Sequence, residues 1–179
     1  RIISAAPSNT EIIFALGLED KLVGKSDFCN YPEATKTIES IGKMSPLNLE
    51  KIVFLNPDLI LSYGGFQLKD IPRLRELGFN ALVVQSETLQ EMIQGIQLIA
   101  NACGIPKEGE QLTSLMQERI DLINIQVENS SVEQKPKVFV GSNFDTIYSP
   151  GRKTLFDQLI PMAVGGNILG DVQGEVKSN

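Results

Sequence analysis

The side chains that could carry chemistry in this 179-residue chain are few and scattered. There is no histidine, which removes Ser-His-Asp and Cys-His catalysis, imidazole-based zinc sites and histidine-held haem. Two cysteines, Cys29 and Cys103, are too few for a disulfide scaffold or a four-cysteine metal site. They read as two buried or half-buried thiols, or as one disulfide in an oxidising compartment. Asp20, Asp27, Asp58, Asp70 and Asp145 fall singly, so local spacing sets no carboxylate pair for acid–base work. Asp58, in Asn56-Pro57-Asp58, reads as a turn residue. The stretch from Gly165 to Gly170 matches neither a dinucleotide fingerprint nor a P-loop, and Ala5-Ala6-Pro7-Ser8-Asn9 has no glycine to let phosphate approach the backbone. What remains is a set of aromatics outside any helical period: Phe28, Tyr31, Tyr63, Phe66, Phe144 and Tyr148. They offer stacking and apolar burial, not bond making.

The elements that must position them alternate between strand and helix. Strands are expected at Arg1–Ser4, Leu22–Gly24, Leu59–Ser62 and Ala81–Val84. Helices are expected after a capping box at Ser8-Asn9-Thr10-Glu11, after Asn48, near Lys69–Leu77, and from a second capping box at Thr88-Leu89-Gln90-Glu91 to Cys103. Near-continuous apolar strands in this rhythm mean a parallel sheet covered on both faces. The segment from Ser26 to Leu47 is a long irregular connection, a length that in a compact domain is usually functional. From Lys107 to Glu128 the apolar residues Leu112, Leu115, Met116, Ile120, Ile123 and Val127 follow the spacing of one helix face. A new strand at Lys137–Val140 and a helix at Thr154–Ile160, broken by Pro161, begin another strand–helix unit. The fold class is therefore α/β: a parallel-sheet, Rossmann-like lobe over residues 1–106, a connecting helix over 107–130, and a partial second α/β lobe over 131–179. In open α/β sheets ligands bind beyond the carboxyl ends of the strands, where these loop aromatics fall.

Composition narrows the partners. With 42% hydrophobic and 21% charged residues the chain buries a core, and a net charge of −6 argues against nucleic acid. No run approaches 18 uncharged apolar residues, so no segment reads as a membrane span. The chain opens on an apolar strand without an initiator methionine, as a processed or trimmed chain would.

Taken in order, Pro7-Ser8-Asn9-Thr10-Glu11, Asp27-Phe28-Cys29-Asn30-Tyr31-Pro32, Asn48-Leu49-Glu50-Lys51-Ile52-Val53 and Asn56-Pro57-Asp58-Leu59-Ile60 resemble the cluster III substrate-binding proteins of ABC importers, the cobalamin, haem and ferric-siderophore group. Gly151-Arg152-Lys153-Thr154 and Gly165-Gly166-Asn167-Ile168 look like that group's second-lobe signatures. The resemblance implies two lobes joined by a rigid helix, with a ligand cleft between them. It places ligand contacts at positions matching Phe28, Met44 and Tyr63 and near Ser142, with Met44 and Ser142 departing from the group's aromatic pattern; with Gly64 and the strand-end aromatics Phe66 and Phe144 these are the candidate ligand-binding residues. The group's first-lobe glutamate, which docks on the permease, falls near Leu68–Lys69, where Asp70 is the nearest acid. The implied function is an extracytoplasmic receptor, periplasmic or lipid-anchored, that hands a metal-chelate nutrient to a membrane-embedded ABC permease. It performs no chemistry and holds no resident cofactor or metal of its own. A corrinoid such as cobalamin is favoured over haem or a ferric siderophore by the Phe28–Pro32 loop together with Tyr63-Gly64-Gly65. An anionic siderophore calls for a cationic cluster, and only Arg152 and Lys153 offer one. The alternative is a small α/β hydrolase or transferase working without histidine. The second lobe reads as incomplete, so self-association through it is also expected.

Overall fold

The computed structural model describes residues 1–131, 134–141 and 148–177. It divides into two compact units, Arg1–Gln85 and Ser86–Asn179. In the first, β1 (Ile2–Ser4), β2 (Leu22–Lys25), β3 (Leu59–Tyr63) and β4 (Ala81–Val84) form a parallel sheet in the order β2-β1-β3-β4. Ile3 pairs with Ile60 across the two central strands, and Tyr63 pairs with Val84 at the far end of β3. The central strands are buried because apolar residues cover both faces, as the unalternating Ile-Ile-Ser and Leu-Ile-Leu-Ser runs require.

Helices α1 (Pro7–Ala15), α2 (Leu49–Leu55) and α3 (Ile71–Glu76) connect the strands. The capping box expected at Ser8 does not form. The helix starts two residues earlier, with Ala6 in extended conformation as its cap and Pro7 in the first turn. Proline's fixed φ suits that first position, so the start moves ahead of Ser8, which is left exposed. At α2 the Asn48 side chain accepts from Lys51 N at 3.1 Å, and Asn56 ends the helix in the left-handed region at φ 44°. The core joins Ile3, Ile52, Ile60 and Leu74 to Ile41 and Leu47 of the long connection. That connection is therefore nailed down at its end, and its only regular piece is a 3₁₀ turn at Glu33–Thr37. Gly24 lets it close: a Cβ there would lie 2.7 Å from Leu55 Cδ1 and 3.1 Å from Ile41 Cγ2.

The second unit opens with α4 (Leu89–Ala102) and α5 (Pro106–Glu128). The sequence reading put α4 with the first lobe. Here it shares a packed seam with α5, where Gly109 sits against Ala100 so closely that a Cβ would lie 2.5 Å from the alanine methyl. The cap at Thr88 does form, Thr88 Oγ1 accepting from Glu91 N at 3.1 Å, while Glu91 Oε2 reaches past the cap to accept from Glu87 N at 2.7 Å. On α5 the expected apolar face is only partly covered, since Leu115 and Ile123 are exposed. Two short sheets follow: β5 (Lys137–Val138) parallel to β7 (Gly166–Asn167), and β6 (Tyr148–Pro150) antiparallel to β8 (Glu175–Lys177). Helix α6 (Leu155–Met162) runs through Pro161, contrary to expectation. The proline falls in the last turn, where the ladder is already ending and Ala163 N reaches back to Leu159 O at 3.1 Å.

Candidate ligand-binding site

The first unit's sheet has one rich edge, at the carboxyl ends of its strands. After β1 the chain turns through Ala5-Ala6, tied by Ala5 N donating to Leu61 O at 2.8 Å. Ser4 Oγ donates to Ala6 O at 3.0 Å and receives Thr10 Oγ1 at 2.8 Å, which locks the turn onto the first coil of α1. After β2, Ser26 N reaches Ser4 O at 3.1 Å and Asp27 N reaches Gly42 O at 2.8 Å. These bonds fold the loop carrying Phe28 and Tyr31 against the strand ends and against the segment carrying Met44.

Gln67 holds the remaining pieces together. It is fully buried in a 3₁₀ turn at Gly65–Asp70. Its Nε2 donates to Ala5 O and to Met44 O, both at 2.9 Å. Its Oε1 accepts from Tyr63 N at 2.7 Å and from Ser62 Oγ at 2.8 Å. One side chain thus fixes the turn after β1, the Met44 segment and the end of β3. Buried amides of this kind are retained only when fully satisfied, and this one has four partners. Sequence reasoning missed Gln67, whose partners lie as far as 62 residues away.

On this frame the expected residues fall as follows. Phe28 and Tyr31 are exposed, at 57% and 65%, although each is large and apolar. Met44 and Tyr63 are half-buried. Gly64 is buried, with the side chain of Gln85 across it. Phe66 contributes backbone to the 3₁₀ turn, and its side chain lies outside the described residues, as do Ser142 and Phe144. Asp70 is half-buried, and its Oδ2 accepts from Leu47 N at 3.3 Å, so it helps hold the end of the long connection.

The two thiols sit differently. Cys29 is buried with Sγ 3.2 Å from Ser26 Oγ, whereas Cys103, half-buried at the end of α4, has its thiol pushed up by burial. Both cysteines are free. Asn9, on α1, is 1% exposed, yet neither amide atom reaches a protein partner.

In the second unit the Gly151–Thr154 and Gly165–Ile168 stretches build one another. Thr154 Oγ1 donates to Gly151 O at 2.8 Å, while Asn167 Nδ2 donates to Asp157 Oδ1 at 3.1 Å and to Pro150 O at 3.2 Å. A Cβ on Gly165 would lie 2.8 Å from Val138 Cγ2. These motifs are structural joints in this unit. Arg152 and Lys153, within the first of them, are exposed.

Comparison with known proteins gives a consistent picture. The family model described as periplasmic binding protein matches residues 2–178. An ABC transporter substrate-binding lipoprotein of Bacillus subtilis is 31% identical over 99% of this chain and 58% of its own length. A vitamin B12-binding protein of Vibrio cholerae is 35% identical over 70% of this chain and 46% of its own length. The chain thus spans about half the length of these curated relatives. Among solved structures, the periplasmic vitamin B12 binding protein of Vibrio cholerae superposes with a TM-score of 0.84 at 28% identity, over 100% of this chain and 70% of that one. A periplasmic haem-binding protein from Roseiflexus in its apo form gives 0.86 at 29%, over the same shares.

Proposed function

Because the chain belongs to the periplasmic binding protein family, we propose that it is the ligand-capturing part of an extracytoplasmic receptor of an ABC importer, and that its ligand is a corrinoid of the cobalamin type or an iron chelate. The observation that carries this reading is the rigid edge built by Gln67, on which Phe28, Met44 and Tyr63 present apolar surface at the carboxyl ends of a parallel sheet. A planar chelate of tetrapyrrole size needs such a wall. Each aromatic contact supplies roughly 0.5–1.5 kcal/mol beyond area burial. The protein binds its cargo without transforming it, and the cargo is not a resident cofactor.

Two partner assignments accompany this reading. The membrane partner is an ABC permease, which docks on the first unit around Asp70 and the exposed Lys69, Arg73 and Glu76. The chain also associates with itself through the second unit, where Phe139, Phe156, Ile168 and Val172 are exposed apolar residues.

Titration of the chain with cyanocobalamin, haemin and a ferric catecholate, followed by visible absorption, tests the function. Stoichiometric binding of one of them, recovered unmodified, is the expected result. Recovery of a chemically altered ligand would favour the enzymatic alternative, and no binding of any of the three would overturn the assignment.

A further inference from the structure

A cleft lies wholly within the second unit, where the first turns of α4, the middle of α5 and helix α6 meet. Its volume is about 250 Å³. Sites for drug-sized ligands run to roughly 300–1,000 Å³, so this one suits a single side chain with its neighbouring amide. Half-buried Ile93, Ile120 and Met162 supply apolar lining. Every polar side chain of the lining is an exposed carboxamide: Gln90, Gln117, Asn124 and Gln158. Among the described residues that line the cleft none is charged, although 21% of the chain is. A charged ligand would therefore shed water there without meeting an opposite charge.

Two of these amides have their sense fixed by a partner. Gln158 meets Leu89 N at 2.9 Å, a bond that ties α6 to the start of α4 across 69 residues. A backbone N–H only donates, so the contacting atom is Gln158 Oε1 and the donor Nε2 is left over. Gln117 meets Asp121 Oδ1 at 2.8 Å. An ionised carboxylate only accepts, so the contacting atom is Gln117 Nε2 and the acceptor Oε1 is left over. The cleft thus offers one donor from α6 and one acceptor from α5, with aliphatic carbon and an adaptable thioether beside them. A peptide unit, with one C=O and one N–H, is the complement of that pair. We propose that the cleft is a docking site for an aliphatic residue in a peptide segment of a partner protein. The aliphatic side chain packs on Ile93, Ile120 and Met162, while the adjoining main chain accepts from Gln158 Nε2 and donates to Gln117 Oε1. The cleft shares no residue with the candidate ligand-binding edge of the first unit.

The experiment titrates the full chain with N-acetyl-leucine amide and follows the methyl signals of Ile93, Ile120 and Met162 by NMR. Saturable shifts at these methyls are expected. N-acetyl-leucine, which carries a carboxylate, should bind at least about 10-fold more weakly, because its charge finds no partner in the lining. N-acetyl-alanyl-leucyl-alanine amide should bind about 3-fold more tightly or better, as added main chain makes further contacts. Gln117→Leu should lose about 3- to 10-fold in affinity, the weight of one hydrogen bond between neutral groups. Gln117 is exposed, so the substitution leaves the core intact, and circular dichroism checks this. Absence of saturable shifts overturns the site. Equal binding of the carboxylate probe overturns its preference for neutral ligands. A tripeptide that binds no better than the single residue overturns the peptide as occupant in favour of a free small amide. Unchanged affinity in a folded Gln117→Leu overturns the amide pairing.

Discussion

Replacing Gln67 by leucine keeps the side-chain volume and removes all four of its hydrogen bonds. The cost can be worked partner by partner. Tyr63 N loses its acceptor at the end of a strand, and a buried orphan N–H costs about 1–3 kcal/mol. Ala5 O and Met44 O lose a donor each, at roughly 0.5–1.5 kcal/mol apiece. Ser62 Oγ retains only a long contact with Tyr63 O at 3.5 Å. The extra apolar burial of leucine offsets about 1 kcal/mol. The net expectation is a loss of about 3 kcal/mol, a large share of the ~5–15 kcal/mol that holds a domain together. In urea, with m of about 1–3 kcal/mol/M, the midpoint should fall by about 1–3 M. Hydrogen exchange localises the effect: protection at the Tyr63 amide should drop more than at Ile60 or Leu61. Gln67→Glu adds a sign test. Burial raises the introduced carboxyl's pKa above its unfolded value. The protonated form can still donate to Ala5 O or Met44 O, so its stabilising contribution is present below the unfolded pKa and lost as pH rises through the folded one. Gln67→Leu within 0.5 kcal/mol of wild type, as a rough threshold, with unchanged protection at Tyr63, would refute the clamp.

Tyr63→Ala should weaken chelate binding by roughly 2- to 10-fold without unfolding the unit, as read by calorimetry alongside circular dichroism. Cys29→Ser should leave affinity nearly unchanged, because the thiol is buried against Ser26 and a single thiolate makes a poor metal site; a large loss would indicate direct coordination. Asn9→Leu should be neutral or stabilising by up to about 2 kcal/mol, since it removes a buried amide without partners; clear destabilisation in urea would show that the amide is satisfied in solution. Light scattering at rising concentration should show self-association through the exposed apolar residues of the second unit, and Phe156→Ser should reduce it; a strictly monomeric chain would contradict that surface assignment.

Much of the first unit was legible because its signals are local. Ala81–Val84 and Leu49–Leu55 fall where expected, the first as an apolar run and the second between an Asn cap and Asn56-Pro57. Capping boxes show the limit of local reasoning. Thr88 caps as its spacing says, but Ser8 does not, because Pro7 starts the helix before it. Of the candidate site, the loop aromatics were legible in the sequence and the frame that holds their segments was not. Phe28 and Tyr63 stand out as aromatics outside any period. Gln67 looks like an ordinary surface polar residue, because its meaning comes from contacts that only chain crossing creates. Asp70 shows the converse. An acid singled out for docking also accepts a backbone bond from Leu47, which no sequence spacing announces.

The division between lining and frame has a consequence for selectivity. Gln67 grips its three segments almost wholly through main-chain atoms: two carbonyls and one N–H, with Ser62 Oγ the single side-chain partner. The side chains at positions 44 and 63 are therefore free to change without loosening the edge that carries them. Methionine at position 44, where the family resemblance leads one to expect an aromatic, fits this arrangement, since its carbonyl performs the structural task and leaves the choice of side chain open. A frame held by backbone atoms can present walls of different shape and rims of different polarity.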